Sequence, residues 1–262
     1  QRLILYATLV ILCYPTLNQQ RDLIVRDFGY WAFSLWGWLY LVRLNHSGSF
    51  RDALKFNFSM LLASLFRLEG MVMLLLAPFA ALANTQVGFT ERAKRFIKIY
   101  SIFILGIVIG FIYFQIHIQT VNVLGRLIDL KTQVYSGISL IVQSITAAKM
   151  AIATQVLTPL SADGALTLLL GGLVAIYAKT LLVTMTSVYS VLVITSFWKK
   201  PFIPALFARP VIGMAIGLNG LITLVFLGQN LFLDRRYIFE LCCLLLLWIP
   251  FFGWGLARMP IV

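Results

Sequence analysis

Long apolar runs, separated by short clusters of basic residues, follow one another along most of this sequence. An α-helix needs about 20 apolar residues to cross the hydrocarbon core of a bilayer, and fewer when it is short or re-entrant. Eight segments fit this description, two of them short, and they occupy residues 3–17, 28–42, 56–66, 70–84, 99–118, 165–197, 211–229 and 237–257. The pattern predicts an all-α, polytopic transmembrane helical bundle that forms a single transmembrane domain over residues 1–262.

The composition supports a membrane location. Apolar residues make up 61% of the chain and charged residues 11%, against about 45–50% and about 25% in an average globular domain. So few charges cannot cover so much apolar surface in water. The net charge of +12 would suggest nucleic acid on a soluble protein, but these bases lie between apolar runs. Membrane lipids with anionic headgroups are therefore the expected partners, and nucleic acid is not.

The distribution of basic residues predicts the topology, because such residues favour the cytoplasmic side of a membrane. If the basic loop at 92–95 is cytoplasmic, alternation of the eight segments places most bases inside and nearly all acids outside. This predicts an integral membrane protein with both ends in the cytoplasm. The bacterial inner (plasma) membrane is the expected location. The sixth segment is too long for one straight span, so we expect it to kink at Gly171-Gly172 or to run past the membrane surface.

The longest outer connection, residues 119–164, carries apolar residues at helical spacing, such as Val123, Leu127 and Leu130. This spacing predicts an amphipathic helix on the outer surface. Such a helix either forms one wall of a substrate cavity or packs on other helices.

Charged residues cluster at the outer ends of the predicted spans, where charge is costly unless it is paired or hydrated. A guanidinium group can hold a phosphate through two parallel hydrogen bonds, which makes the arginines candidates for a phosphate site. Two other interpretations stay open: an ion pair that caps the two short helices, and ordinary anchoring at the interface. The candidate residues are Asp22, Arg26, Asp27, Arg67, Glu69, Arg235, Arg236 and Tyr237.

Three stretches carry a resemblance to a known superfamily. They are Arg26-Asp27-Phe28-Gly29-Tyr30-Trp31, Leu65-Phe66-Arg67-Leu68-Glu69-Gly70 and Asp234-Arg235-Arg236-Tyr237. The sequence resembles the GT-C superfamily of polytopic glycosyltransferases over roughly residues 22–84 and 230–257. The resemblance implies transfer of a sugar from a polyprenyl-phosphate donor to an acceptor at the outer face. It also implies that Arg67, Arg235 and Arg236 bind the donor phosphate, with Arg26, Glu69 and Tyr237 as further substrate-binding residues.

The catalytic base is less clear than the phosphate site. Enzymes of this superfamily usually carry a carboxylate in a first outer loop, and only Asp22 and Asp27 stand in a comparable position here. The chain begins at Gln1 and is expected to lack the N-terminal part of such an enzyme. Three alternatives stay open: the base lies upstream of Gln1, one of the two aspartates serves, or the chain is not catalytic.

The sequence shows no cofactor motif and no metal-binding cluster of cysteine and histidine, although a divalent cation stays an open alternative. Two other functions compete with glycosyl transfer. The first is a non-catalytic membrane subunit that scaffolds a larger complex with membrane-protein partners. The second is a lipid or solute transporter, for which the two short segments at 56–66 and 70–84 would form a site at the membrane midplane.

Overall fold

The computed structural model of the protein describes residues 2–20, 27–116, 124–198, 209–247 and 249–250. These residues are almost entirely helical and include no strand, which confirms the predicted all-α class. The α-helices are α1 (Arg2–Leu12), α2 (Pro15–Gln20), α3 (Asp27–Ser47), α4 (Phe50–Phe66), α5 (Glu69–Leu76), α6 (Phe79–Leu82), α7 (Phe89–Ile116), α8 (Leu124–Ala151), α9 (Ala165–Met185), α10 (Ser187–Trp198), α11 (Arg209–Asn230) and α12 (Arg235–Leu246). A π-helical turn, Ile152–Val156, and a 3-10 helix, Pro159–Gly164, connect α8 to α9.

Two stretches of the described residues are long and apolar enough to cross a membrane, judged by length and composition. They are Pro159–Met185 and Pro210–Asn230. The number of eight spans therefore stays a prediction, although the described residues of each of the eight segments are largely helical. Most of the last segment beyond α12 lies outside the described residues.

The surface of α9 is apolar and largely uncovered. Only 6% of the most apolar stretch of Pro159–Met185 is buried, against 33% for Pro210–Asn230. Leu168 and Val174 are 52% and 69% exposed. A core helix of a soluble protein would be mostly buried, because each Å² of apolar surface left in water costs about 25 cal/mol. The exposed face of α9 therefore favours contact with lipid.

The sixth predicted segment is interrupted after Met185. Helix α9 continues through Gly171-Gly172 and ends at Met185, and Thr186 then adopts a φ of 64° before α10 begins. The interruption thus lies 14 residues beyond the glycine pair at which a kink was predicted. The break lies where the Thr184 carbonyl oxygen accepts hydrogen bonds from the side chains of Tyr14, at 2.8 Å, and Thr16. Contacts with the α1–α2 region therefore satisfy a carbonyl at the end of α9.

The connection predicted to be amphipathic is helical over α8. This helix packs against α9 and α11, and the Ser144 hydroxyl donates a hydrogen bond of 2.8 Å to the carbonyl oxygen of Gln229. Of the two predicted roles, packing on other helices thus has direct support. Residues 119–123 of the connection lie outside the described part of the chain.

An antiparallel hairpin of α3 and α4 forms the centre of the bundle, with α11 and α12 beside it. Its apolar core has two adjoining parts along α3, one around Trp31 and Phe239 and the other around Trp38 and Phe56. At 1.5 Å per residue, the 21 residues of α3 extend about 31 Å. The distance between groups at the two ends of α3 is therefore about the thickness of the hydrocarbon core of a bilayer.

Gly70, in the first turn of α5, lies against the last turn of α4. A Cβ atom at this position would lie 2.5 Å from the backbone nitrogen of Ser64 and 2.8 Å from the carbonyl carbon of Ala63. These are backbone atoms that cannot move aside without displacing a helix. Close contact between α4 and α5 thus requires glycine at position 70.

The variant Gly70→Ala should lower the thermal unfolding midpoint in detergent, because overpacking against backbone costs about 1–3 kcal/mol. The matched control is Gly171→Ala in α9, where a Cβ atom would meet nothing within 4 Å. The control should leave the midpoint unchanged or raise it, since alanine favours a helix by about 0.5–1 kcal/mol over glycine. Equal midpoints for the two variants would contradict the close approach.

Candidate functional site

Arg67 lies in the short turn between α4 and α5, and its side chain is buried. The residue is extended, at φ −145° and ψ 141°, and its backbone N–H donates to the Ala63 carbonyl oxygen. The guanidinium group donates one hydrogen bond to Glu69 Oε1 at 2.5 Å and another to Asp27 Oδ1 at 3.4 Å. The two carboxylates belong to the first residues of α5 and α3, where the helix dipole also stabilises negative charge.

Two tyrosine rings contact the same guanidinium group. The Cζ atom of Arg67 lies 5.2 Å from the ring centroid of Tyr30 and 4.7 Å from that of Tyr237. The Tyr237 ring also holds Arg236, whose Cζ lies 4.9 Å from the centroid, and it stacks on Phe226 at 3.9 Å. Such cation–π contacts stabilise a guanidinium group that has lost part of its hydration.

The structure thus brings together five of the candidate residues from three parts of the chain, and we call this group the arginine–tyrosine cluster. Arg235 lies next to Arg236 as the first residue of α12 and is exposed. Asp22 and Arg26 lie outside the described residues, so the predictions made for them are not tested. The clustered residues are Asp27, Arg67, Glu69, Arg236 and Tyr237.

The two arginines of the cluster differ in their exposure and in the number of carboxylates that already neutralise them. Burial by itself would lower the pKa of Arg67, but the hydrogen bond to Glu69 and the charges of Glu69 and Asp27 raise it. Its side chain is 8% exposed, and a phosphate that contacts it must replace a carboxylate. Arg236 is 44% exposed and has one carboxylate, Asp234, at 3.7 Å. Arg236 is therefore the more accessible group for an anionic ligand.

Asp27 is buried against Arg67, with 6% of its side chain exposed. Because its carboxylate holds the guanidinium group, its position suits the orientation of Arg67 better than the removal of a proton from an acceptor. This arrangement matches the interpretation of an ion pair that caps the short helices. The catalytic role predicted for Asp27 stays a prediction.

Sequence reasoning missed a second carboxylate, that of Glu240. Its residue is 1% exposed, and Oε1 accepts hydrogen bonds from Ser34 at 2.6 Å, from the Trp38 indole at 3.3 Å and from Asn219 at 3.4 Å. The sequence places Glu240 among the acids of the outer side, but the structure places it among α3, α11 and α12. Its position inside an apolar run, three residues after Tyr237, was the available signal, since such acids are rarely unpaired.

An apolar groove of about 620 Å³ lies between α8, α9 and α11. This volume is within the range of about 300–1,000 Å³ that is usual for ligand sites. One wall includes Leu227, next to the Phe226 that stacks on Tyr237, so the groove and the arginine–tyrosine cluster share helix α11. Other lining residues are Ile141, Ile145, Leu173, Val174 and Leu224.

Among the described residues, no group of three or more His, Cys, Asp and Glu side chains is placed to hold a metal ion. Comparisons with protein-family models, with curated proteins and with solved structures find no match for this chain. A function must therefore be argued from the chemistry of the site.

Removal of the Glu240 carboxylate should destabilise the bundle. The variant Glu240→Ala removes the acceptor that three buried donors share and leaves a cavity between the helices, at a cost of about 3 kcal/mol or more. The variant Glu240→Gln keeps an amide oxygen for the same donors and should cost about 1 kcal/mol or less. Thermal unfolding of both variants in the same detergent measures the difference. A midpoint for Glu240→Ala at or above that of Glu240→Gln would show that the hydrogen bonds do not hold the helices together.

Proposed function

We propose that this chain is a polytopic membrane glycosyltransferase of the GT-C type. It would transfer a sugar from a polyprenyl-phosphate donor at the outer face of a bacterial inner membrane. The observation that carries the proposal is the position of Arg67 and Arg236 on one tyrosine ring, that of Tyr237, at 4.7 and 4.9 Å. Guanidinium groups from distant parts of the sequence thereby meet at one end of an apolar helical bundle.

The orientation follows from the two ends of α3. The arginine–tyrosine cluster surrounds its first turn, whereas its last turn lies beside the basic residues Arg95 and Lys98. Because basic residues favour the cytoplasm, the second end would face inside and the cluster outside. The length of α3, about 31 Å, suits this orientation, and so does the uncovered apolar face of α9.

Each part of the site would then have one task. Arg236 and the exposed Arg235 would bind the donor phosphate and stabilise its charge as the sugar leaves. Arg67, already bound to Asp27 and Glu69, would hold Tyr237 in place. The apolar groove beside α11 would accommodate part of the polyprenyl chain.

The reaction also requires a base that accepts the proton of the acceptor hydroxyl group. Asp22 and Asp27 are the candidates within this chain. Because Asp27 is engaged with Arg67, the proposed phosphate-binding role has more support than a role for Asp27 as the base. The proposal therefore depends most strongly on donor binding, which can be measured separately from transfer.

The variant Arg236→Ala should raise the apparent KM for a polyprenyl-phosphate sugar about tenfold or more, because a hydrogen bond to a charged group contributes about 1.5–3 kcal/mol. The KM of Arg236→Lys should lie between those of the wild-type protein and Arg236→Ala, since an ammonium group keeps the charge but cannot form bidentate hydrogen bonds. The measurement is the consumption of labelled donor by membranes that contain the full chain. The control Arg51→Ala removes an exposed cation of α4, at the other end of the hairpin, and should have no effect.

Unchanged kinetics in Arg236→Ala and in Arg67→Ala would reject the phosphate-binding role. Absence of donor turnover in the wild-type protein, together with co-purification of stoichiometric membrane partners, would instead favour the scaffolding alternative.

A further inference from the structure

A second polar cluster lies at the other end of the α3–α4 hairpin, and we call it the basic cap. It combines the last turn of α3, the glycine that follows it and the first turns of α7. Its members are Asn45, Gly48, Arg92, Arg95 and Lys98. Gly48 has a φ of 65° and its N–H donates to the Leu44 carbonyl oxygen at 2.8 Å, which is a common way for a helix to end.

Part of the basic cap has a structural task. Arg95 donates to the carbonyl oxygen of Asn45, and Lys98 donates to that of Gly48 at 2.7 Å. Arg92 donates to the carbonyl oxygen of Leu82, at the end of α6, at 3.2 Å. Cations at helix C-termini satisfy free carbonyl groups and oppose the negative end of the dipole.

These contacts leave several buried polar atoms without partners. Asn45 is 1% exposed and Arg95 8% exposed. Neither the Nδ2 nor the Oδ1 atom of Asn45 has a hydrogen-bond partner, and the same is true of the Nε atoms of Arg92 and Arg95. Buried side-chain donors are nearly always satisfied in folded proteins. Three N–H donor groups of the basic cap therefore lack an acceptor within the protein.

The missing acceptor should carry negative charge. Among the described residues, no carboxylate lies within 4.0 Å of Arg92, Arg95 or Lys98. The neighbouring Glu91 is exposed and pairs with Lys94 at 2.8 Å. That hydrogen bond, with the charges of Lys94, Arg95 and Lys98, lowers the pKa of Glu91, so it stays ionised on the surface.

The other nearby carboxylate is also engaged elsewhere. Asp52, in the first turn of α4, accepts a hydrogen bond of 2.8 Å from the Ser47 hydroxyl group. Neither carboxylate of this end of the hairpin thus pairs with a cation of the basic cap. The three cations of the basic cap keep an excess of positive charge.

We propose that Asn45, Arg92, Arg95 and Lys98 bind a phosphate group at the end of the bundle opposite the arginine–tyrosine cluster. A phosphate supplies several charged acceptor oxygens, which suits two guanidinium groups and an amide donor. The surroundings favour a lipid headgroup as its source, because Phe50 and Phe89 beside the site are 56% and 72% exposed. This site is additional to the donor site of the proposed glycosyl transfer.

The sharpest variant is Asn45→Leu. Its side chain has the same number and branching of heavy atoms, and the asparagine amide makes no hydrogen bond within the protein, so the lipid-free protein should unfold at the same or a higher temperature. Loss of a hydrogen bond to a charged oxygen should weaken phosphate binding about tenfold. A second variant, Arg92→Gln, should weaken binding as well, whereas the matched control Lys94→Gln removes an exposed cation of the same helix and should not.

The experiment is a titration of the full-length chain in detergent, with bound lipid counted by native mass spectrometry. The probes are dioleoyl phosphatidylglycerol, dioleoylglycerol, which has the same tails and no phosphate, and inorganic phosphate. We expect saturable binding of the phospholipid that exceeds binding of dioleoylglycerol and decreases in Asn45→Leu and Arg92→Gln. Competition by inorganic phosphate would show that any phosphate suffices, and lack of competition would identify the lipid headgroup as the ligand.

Two results would overturn the proposal. One is equal retention of phosphatidylglycerol and dioleoylglycerol by the wild-type protein. The other is equal phospholipid affinity in the wild-type protein and Asn45→Leu. Neither result bears on donor turnover at Arg236, so the two proposals can fail separately.

Discussion

The carboxylate of Glu240 joins helices that lie far apart in the sequence. Through one oxygen it accepts hydrogen bonds from Ser34 and Trp38, which are 206 and 202 residues away, and from Asn219. In an apolar interior, donors without an acceptor are costly, so this group fixes how α12 lies against α3 and α11. Tyr237 precedes Glu240 by nearly one helical turn, and in that arrangement its ring lies 4.7 Å from the Cζ atom of Arg67. The candidate site thus depends on a buried group that does not belong to it.

Helix α3 is oriented so that the charges at its ends match its own dipole. Its first residue, Asp27, pairs with Arg67. At its other end Arg95 donates to the carbonyl oxygen of Asn45, and Lys98 donates to that of Gly48, just after the helix. Negative groups stabilise the N-terminus of a helix and positive groups its C-terminus. The same distribution of charge that predicts the topology therefore also stabilises the central hairpin.

The sequence alone predicts the all-α class and the approximate position of most helices, because apolar runs of this length leave few alternatives. It also selects Arg67 and Tyr237, since charged and amphipathic residues at the ends of such runs need a partner. It does not predict the break at Thr186, because the contacts that satisfy the Thr184 carbonyl oxygen come from Tyr14 and Thr16, about 170 residues away. The burial of Glu240 was missed for the same reason: its partners are defined only by the packing of three helices.

The pairing of Arg67 with two carboxylates has a consequence for how anions would bind to the bundle. A ligand that reaches this guanidinium group exchanges one anion for another, so few mobile ions are displaced and ionic strength should have little influence. The basic cap has no such internal counter-anion among the described residues, so binding there should weaken as salt screens its attraction. Arg67 and the basic cap, at the two ends of one hairpin, would therefore respond differently to the same electrolyte.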